Sequence, residues 1–227
     1  TNLANISSLS LRVAREIKDC AAGLIDKIVI DETISSTLVF SSPGLGKTTL
    51  LRDIARILSN AGRRIAIVDE RHEIAACLQG IPTMDVGQCT DVLDGCPKYL
   101  AISQLIRTMS PQVIITDEIG DVRDAQAILD AVRCGVTVIA SAHASDFEDL
   151  SQRSSIKKLL SNGVFSSGED SLFLRDMLRR GFRIYTSCDT IASKCFFFPS
   201  KLCQFWITEH HITNNQVLFY DKFPNLF

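Results

Sequence analysis

A glycine-rich segment carries a lysine and a threonine in the order that binds nucleotide phosphates. The segment from Ser41 to Thr48 fits the Walker A pattern GxxxxGK[ST] except at its first position, where Ser41 replaces glycine. Glycines let backbone N–H groups turn toward phosphate oxygens, Lys47 is expected to reach the β- and γ-phosphates, and the Thr48 hydroxyl is expected to bind magnesium. We therefore predict that the chain binds Mg-ATP, with contacts from Ser42, Pro43, Gly44, Leu45, Gly46, Lys47, Thr48 and Thr49.

Two apolar runs of the chain end in the dipeptide Asp-Glu. One run leads into Asp69-Glu70 and the other into Asp117-Glu118. Hydrolysis of ATP needs an acidic side chain that holds magnesium and a carboxylate that orients or deprotonates the attacking water. We assign Asp117 to magnesium and Glu118 to the water. Glu70 stays open as an alternative for the second role, because it ends the first apolar run after the phosphate loop.

A histidine and three arginines are further candidates for this chemistry. His143 follows the apolar run 136–140, and at the end of a strand it would sense the γ-phosphate. The transferring phosphoryl group also needs positive charge from the protein. Arg71 and Arg107 are the first candidates for this charge, and Arg123 is a further one. The sequence does not choose among them. An arginine near a subunit boundary can also act on a neighbour's site.

Strands and helices alternate along the segment that contains these residues. Short apolar runs predict strands, and apolar residues at helical spacing predict helices between them. Such alternation is typical of a mostly parallel twisted sheet with helices on both faces, so we predict an α/β fold with a RecA-like P-loop NTPase core. The phosphate loop, both acidic pairs and the histidine follow strands, where ligands of such sheets bind. The predicted strands are 9–13, Thr37–Phe40, Ile65–Val68, Val113–Thr116 and Val136–Ala140, and the predicted helices are Ile17–Val29, Thr48–Ser59, Lys98–Met109 and the segment from the cap Asp121 to Arg133.

The composition is typical of a globular domain and limits the classes of partner that we expect. The 227 residues carry a net charge of −2, so no global basic field attracts nucleic acid or an anionic membrane. No apolar run reaches the ~18 residues that a membrane span requires, so we predict no direct membrane insertion. The eight cysteines form no Cys-x-x-Cys pair, which argues against a zinc site and favours reduced thiols in a cytoplasmic protein.

Several ordered motifs extend beyond the phosphate loop and the two Asp-Glu pairs. They are Leu11–Glu16, Ser42–Asp53, Val68–Ala75, Thr90–Lys98, and Leu105–Pro111 leading into Asp117–Gly120. Together these motifs resemble the stage III sporulation protein AA family, a family of ATPases from spore-forming bacteria. The resemblance covers roughly residues 7–165.

This family is similar to the hexameric ATPases of type II and type IV secretion. The resemblance implies a homo-oligomer, a hexameric ring, in the cytoplasm of the mother cell. It would drive a secretion-like channel between mother cell and forespore, with the membrane channel proteins of the sporulation apparatus as partners. The resemblance singles out three further groups of residues. They are the pair Arg123-Asp124, which follows the proposed magnesium ligand Asp117, a histidine box at 141–145, and an acidic box of Asp69, Glu70 and Glu73.

We predict three segments along the chain. Residues 1–36 would form a strand and helix lead-in, 37–165 the P-loop ATPase core, and 166–227 a C-terminal segment. The family carries a further N-terminal domain, which we expect to be absent here. The last segment matches the family weakly and contains Phe196-Phe197-Phe198, so we expect a non-family tail of uncertain order. A hydrophobic docking segment is the alternative for this tail.

Two other functions stay open at the level of sequence. A RecA-like ATPase that nucleic acid stimulates would share the phosphate loop, but the sequence supplies no obvious basic and aromatic groove for a single strand, so nucleic acid is disfavoured as a partner. A nucleotide-dependent binding module without turnover would share the loop too. A GTPase is disfavoured because the chain contains no Asn-Lys-x-Asp guanine motif. The sequence favours Mg-dependent ATP hydrolysis.

Overall fold

The computed structural model describes residues 15–165 and, as backbone, three short later strands. Its helices are α1 (Ala22–Ile28), α2 (Lys47–Asn60), α3 (Lys98–Thr108), α4 (Val122–Arg133), α5 (Phe147–Gln152) and α6 (Ser154–Ser161). Its strands are β1 (Val29–Ile30), β2 (Thr33–Ile34), β3 (Thr37–Ser41), β4 (Ile65–Asp69), β5 (Thr90–Asp94), β6 (Val113–Glu118), β7 (Thr137–His143), β8 (Arg183–Thr186), β9 (Ile212–Thr213) and β10 (Gln216–Val217).

The main sheet has six strands in the order β5-β4-β6-β7-β3-β8. The first five run parallel to one another, and β8 pairs antiparallel with β3. All the parallel strands therefore end at the same edge of the sheet. Because β7 lies between β3 and β6, the ends of these three strands are neighbours. This order confirms the predicted mostly parallel α/β sheet.

Alternate side chains of the sheet pack into two separate apolar layers. Leu38 and Phe40 of β3 belong to the layer formed with α3, α4 and α6, whereas Val39 belongs to the layer formed with α1 and α2. The same alternation separates Val68 from Ile67 in β4. Because helices cover both faces, these strands are apolar at nearly every position, which explains why the sequence reveals them.

Helix α4 begins at a capping box that the sequence partly predicts. Asp121 accepts a hydrogen bond from the backbone N–H of Arg123 (2.8 Å), and the Asp124 side chain accepts one from the backbone N–H of Asp121. The predicted cap at Asp121 is thereby confirmed. The helix ends at Arg133, shortly before Gly135, whose φ of +80° closes the turn.

The start of the chain's described part differs from the sequence prediction. The first helix spans Ala22–Ile28 rather than 17–29. Asp19 has a left-handed backbone with a φ of +61°, and the side chain of Asp53 in α2 accepts the N–H groups of Asp19 and Ala21. These contacts fix a turn where the prediction has helix. Strand β5 and helices α5 and α6 are also absent from the prediction.

The predicted strand 9–13 lies outside the described residues, as does most of the predicted C-terminal segment 166–227, including Phe196-Phe197-Phe198. Of that segment, the backbone of β8 joins the main sheet beside β3, and β9 pairs with β10. Within the described part of the chain, no helix is both long and apolar enough to cross a membrane.

Candidate active site

A cavity opens at the carboxyl edge of the sheet, between the start of α2 and the ends of β6 and β7. Its walls come from segments that are far apart in the sequence and that the strand order brings together. Most of the predicted site residues meet here. The predicted residues that do not line the cavity are Ser42, Leu45, Thr49, Glu70 and Arg107. The lining residues are Pro43, Gly44, Gly46, Lys47, Thr48, Arg71, Glu73, Asp117, Glu118, Ser141 and His143.

Two glycines shape the phosphate loop. Gly44 (φ +78°) and Gly46 (φ +100°) have left-handed backbones, which other residues adopt only with strain. Helix α2 begins directly after Gly46, so the N–H groups of its first turn and its positive dipole end lie at the cavity. Leu45, between the two glycines, packs instead against the apolar layer of α1 and α2. This arrangement suits the binding of phosphate oxygens.

The ammonium group of Lys47 is bound to the protein itself. It donates hydrogen bonds to the carbonyl oxygens of Ser41 (3.0 Å) and Ser42 (3.1 Å) and lies 2.8 Å from Nδ1 of His143. The Ser41 hydroxyl, at the position where the motif has glycine, adds a contact of 3.2 Å. Burial lowers the pKa of Lys47 to about 8, although the negative charge of Glu118 opposes this shift.

His143 connects Lys47 with Glu118 across the cavity. It is itself the last residue of β7, which extends beyond its predicted end. Because an ammonium group only donates, Nδ1 of His143 accepts from Lys47, and the ring proton lies on Nε2. Nε2 lies 3.6 Å from Oε2 of Glu118, and Nη1 of Arg71 lies 3.2 Å from the same oxygen. The four side chains therefore form a continuous polar row along the cavity.

Asp117 is paired with a lysine that the sequence prediction does not include. The ammonium of Lys98 lies 2.8 Å from Oδ1 of Asp117 and 2.7 Å from Oε2 of Glu70, and the Lys98 side chain is 4% exposed. Burial acts to lower the pKa of Lys98, but the two carboxylates outweigh it and the net shift is upward. Burial raises the pKa of Asp117, and the Lys98 ammonium opposes this rise. Lys98 is thus a charged group between two carboxylates.

The oxygen atoms at this end of the cavity fit a magnesium ion. Oδ1 of Asp117 is buried and, despite its short distance to Lys98, accepts no hydrogen bond of ordinary geometry. Asp117 and the Thr48 hydroxyl both line the cavity. Mg²⁺ prefers such oxygen ligands and takes only one or two from the protein when it also binds phosphates. Among the described residues, no cluster of three or more His, Cys, Asp or Glu side chains could hold a metal by itself.

Asp69 fixes the loop that follows β4. Its fully buried carboxylate accepts hydrogen bonds from the backbone N–H groups of Glu73 (2.8 Å), Ile74 (3.0 Å) and Ala75 (2.8 Å). Arg52 of α2 donates to the carbonyl oxygens of Glu73 and Ile74. The loop is therefore attached to the phosphate-loop helix, and from this position it presents an arginine and a glutamate to the cavity.

The structure does not bring two of the candidate arginines to the cavity of this chain. Lys98 contacts the site from the first turn of α3, whereas Arg107 is exposed in the last turn, roughly 13 Å farther along the helix axis. Arg123 pairs with Asp121 and lies over the ring of Tyr99, 4.6 Å from its centroid. Arg71 is the candidate arginine that lines the cavity.

Sequence reasoning includes Ser141 only as a member of the histidine box and gives no role to Lys98, and each has a signal that could have found it. Ser141 precedes His143 by two positions on β7, so the alternation of a strand puts both side chains on the same face. Lys98 lies in the first turn of a helix, where the positive dipole end disfavours a cation. A lysine at that position indicates partners outside the helix.

Three features together define a P-loop NTPase fold. They are a mostly parallel α/β sheet, a glycine-rich phosphate loop that follows one strand, and acidic residues at the end of another strand. Within that class, the chain belongs to the family Sporulation stage III, protein AA, whose model matches residues 1–172. The family resemblance that the motifs indicate is thereby confirmed.

Several curated proteins are similar to this chain. Stage III sporulation protein AA of Bacillus subtilis (strain 168) is 44% identical over 168 residues, which cover 72% of this chain and 54% of that protein. Uncharacterized protein ycf45 of Cyanidium caldarium is 34% identical, over 69% of this chain and 46% of that protein. Protein SEEDLING PLASTID DEVELOPMENT 1 of Arabidopsis thaliana is 32% identical, over 68% of this chain and 22% of that protein. The chain thus spans about half, or less, of the length of these relatives.

Two solved structures of ATPases are similar to this chain. The Legionella pneumophila ATPase DotB has a TM-score of 0.45 and 20% identity, over 67% of this chain and 39% of DotB. The VirB11 ATPase of the Brucella suis type IV secretion system has a TM-score of 0.37 and 19% identity, over 56% of this chain and 39% of VirB11. The fold class of this chain follows from its own strand order and phosphate loop.

Proposed function

We propose that this chain binds Mg-ATP at the phosphate loop and hydrolyses it. The observation that carries the proposal is that one cavity is lined by Lys47 and Thr48 of the loop together with Asp117, Glu118 and His143. These side chains lie at or just after the carboxyl ends of three neighbouring strands, and each is of a type that phosphoryl transfer uses. Magnesium held by Thr48 and Asp117 would neutralise charge that develops on the β- and γ-phosphate oxygens.

Binding of the triphosphate would change the partners of Lys47. Its ammonium donates to the carbonyl oxygens of Ser41 and Ser42. Phosphate oxygens carry full negative charge, so they attract the ammonium more strongly than neutral carbonyls do. When Lys47 moves toward the phosphates, Nδ1 of His143 loses its donor, and it regains this donor once the phosphates leave. His143 would in this way report whether the phosphates are bound.

We assign the attacking water to Glu118. Its side chain lines the cavity and is 28% exposed, so water reaches it. Glu70, the alternative from the sequence, does not line the cavity and is bound to Lys98 at 2.7 Å. A general base has to lie within hydrogen-bond reach of the water that it activates. The geometry therefore favours Glu118 for this role.

Positive charge for the transferring phosphoryl group would come from Lys47 and Arg71. Arg71 lines the cavity, and its side chain is 59% exposed, so it has room to turn toward the γ-phosphate. Arg107 lies at the far end of α3 from the cavity. We therefore keep Arg107 only as a candidate that acts across a subunit boundary.

We further propose that hydrolysis powers a secretion-like channel between mother cell and forespore during sporulation. Membership of the sporulation stage III family and the relative from Bacillus subtilis support this role. The protein would work as a homo-oligomer, a hexameric ring, in the cytoplasm of the mother cell. It would attach to the membrane channel proteins of the sporulation apparatus without inserting into the membrane itself.

Steady-state ATP hydrolysis measured against protein concentration tests the proposal. Activity is expected to rise more than linearly with concentration, because assembly would complete the site. Lys47→Ala is expected to lose ATP binding and turnover, and Glu118→Gln to keep binding but to slow turnover by about 100-fold or more. Glu148→Gln, the same change at an exposed position of α5, is the matched control and keeps the wild-type rate.

The results of these assays distinguish an error about hydrolysis at this site from an error about which residue is the general base. Turnover that neither Lys47→Ala nor Glu118→Gln changes would contradict hydrolysis at this site. If ATP still binds under those conditions, the chain is a binding module. Loss of turnover in Glu70→Gln, with normal turnover in Glu118→Gln, would keep the ATPase but move the base to Glu70.

A further inference from the structure

Lys98 lies at a helix position that is unfavourable for a lysine. It is the first residue of α3, and the positive dipole end of a helix disfavours a cation in this turn. The helix has no side-chain cap and no acidic residue in its first turn that would offset this effect. The lysine is nevertheless 4% exposed, and an ammonium group is rarely buried without a counter-charge. The reason for this residue therefore lies in the carboxylates that it contacts.

Those two carboxylates belong to different parts of the site. Oε2 of Glu70, on the loop after β4, lies 2.7 Å from the ammonium. Oδ1 of Asp117, at the end of β6, lies 2.8 Å from it. Asp117 is also the lining residue assigned above to magnesium. The carboxylate on the metal side of the cavity is thus paired with a positive charge from the protein itself.

We propose that Lys98 is a positioning residue that makes the binding of a divalent metal depend on nucleotide. Its ammonium holds Asp117 against Glu70 and competes with a free divalent cation for Asp117. A cation that arrives with a triphosphate brings further oxygen ligands and binds in spite of this competition. The inference rests on the proposed function, because it takes Asp117 as a metal ligand.

Removal of the Lys98 charge is expected to change the affinity for metal in a way that a purely structural role of Lys98 does not predict. Without the ammonium, Asp117 and Glu70 are neighbouring carboxylates that repel each other in a partly buried place. A divalent cation would relieve this repulsion. The affinity for metal in the absence of nucleotide therefore rises, whereas loss of a structural lysine would leave it unchanged or lower it.

Binding of Mn²⁺, as a paramagnetic substitute for Mg²⁺, to the 227-residue chain without nucleotide tests this inference. Electron paramagnetic resonance measures the free ion. In Lys98→Met and Lys98→Gln the Kd for Mn²⁺ is expected to fall about tenfold or more. Lys98→Arg keeps the charge and is expected to stay within about twofold of the wild type. Asp117→Asn added to Lys98→Met is expected to abolish the gain.

Each result supports or overturns the inference. An unchanged Kd for Mn²⁺ in folded Lys98→Met and Lys98→Gln, checked by circular dichroism, would overturn it. The wild-type chain gives a test that does not depend on the folding of any variant. Mn²⁺ binding that is as tight without a non-hydrolysable ATP analogue as with it also overturns the inference. Mn²⁺ binding with this analogue that Asp117→Asn leaves intact would instead show that the proposed metal site itself is wrong.

Discussion

At the scale of single residues, Lys47 has to exchange one set of partners for another when a nucleotide binds. In the structure, the carbonyl oxygens of Ser41 and Ser42 and the ring of His143 hold its ammonium. Burial lowers its pKa to about 8, so part of the population carries a neutral amine at mildly alkaline pH. Surrounding phosphate oxygens would raise this pKa again, because they favour the charged form. Binding of ATP is therefore coupled to protonation of Lys47.

We predict that the affinity for ATP is constant well below a pH of about 8 and falls as the pH rises through that value. The sign follows because the bound state has the higher pKa, so binding takes up a proton where the free lysine has lost one. About half a proton per site is taken up near pH 8, and almost none near about pH 6.5. Isothermal titration calorimetry in two buffers with different ionisation enthalpies measures this uptake.

Lys47→Arg is the matched control for the proton uptake. A guanidinium group stays protonated across this pH range, so the variant takes up no proton on binding. Equal uptake in the wild type and in Lys47→Arg would assign the proton to another group. No uptake by the wild type near pH 8 would contradict the lowered pKa of Lys47.

The sequence predicts those site residues whose type and position a motif fixes. Lys47 and Thr48 follow from the phosphate-loop pattern alone. Lys98 does not, because its partners Glu70 and Asp117 lie at the ends of two different strands and only the sheet brings the three together. For the same reason the sequence leaves Glu70 and Glu118 as alternatives. Both end an apolar run, and only the folded chain shows that Glu70 is bound to the lysine.

At the scale of elements, the loop after β4 links the edge of the sheet to helix α2. It contains His72 with a φ of +56° and Ala76 with a φ of +49°, left-handed conformations that cost energy in residues other than glycine. The Asp69 carboxylate offsets this cost by accepting three backbone N–H groups. Arg52 of α2 binds two carbonyl oxygens of the same loop. We therefore expect the loop and the phosphate-loop helix to move together.

Asp69→Asn is expected to loosen this loop. The amide has one acceptor oxygen where the carboxylate has two, and its NH₂ group would face backbone N–H donors. We expect the free energy of unfolding to fall by about 3 kcal/mol, measured by urea denaturation. Hydrogen exchange at the amides of Glu73, Ile74 and Ala75, followed by mass spectrometry, is expected to become faster.

Asp91→Asn is the matched control for Asp69→Asn. It makes the same chemical change at an exposed position of the edge strand β5, where we expect the free energy of unfolding to change by less than about 0.5 kcal/mol. Normal exchange of the three loop amides in Asp69→Asn would show that the carboxylate is not what holds the loop.

The sequence predicts the central strands but not the peripheral elements. Every residue of β3 and β4 is buried, so each strand is a short run made mainly of apolar residues that stands out against its surroundings. Thr90–Asp94 of β5 lies at the edge of the sheet, is only partly buried, and has two apolar residues among five. Helices α5 and α6 span six and eight residues, too few for a helical period to be recognised.

At the scale of the whole molecule, the order of the strands decides which residues meet. His143 stands between the phosphate loop and Glu118 because β7 lies between β3 and β6. Several arrangements of parallel strands satisfy the same alternation of strands and helices along the chain. The α/β class is therefore predictable from the sequence, whereas the contact of Lys47 with His143 is not.

The net charge of the whole chain bears on its partners. At −2, the chain offers no general attraction for the phosphate backbone of nucleic acid. We therefore predict that single-stranded DNA changes the rate of ATP hydrolysis by less than about twofold at either about 50 mM or about 200 mM salt. A coupled ATPase assay with a mixed-sequence oligonucleotide measures this, and heparin serves as the control for charge alone. Stimulation of several-fold at low salt that is lost at high salt and absent with heparin would instead support a RecA-like ATPase that acts on nucleic acid.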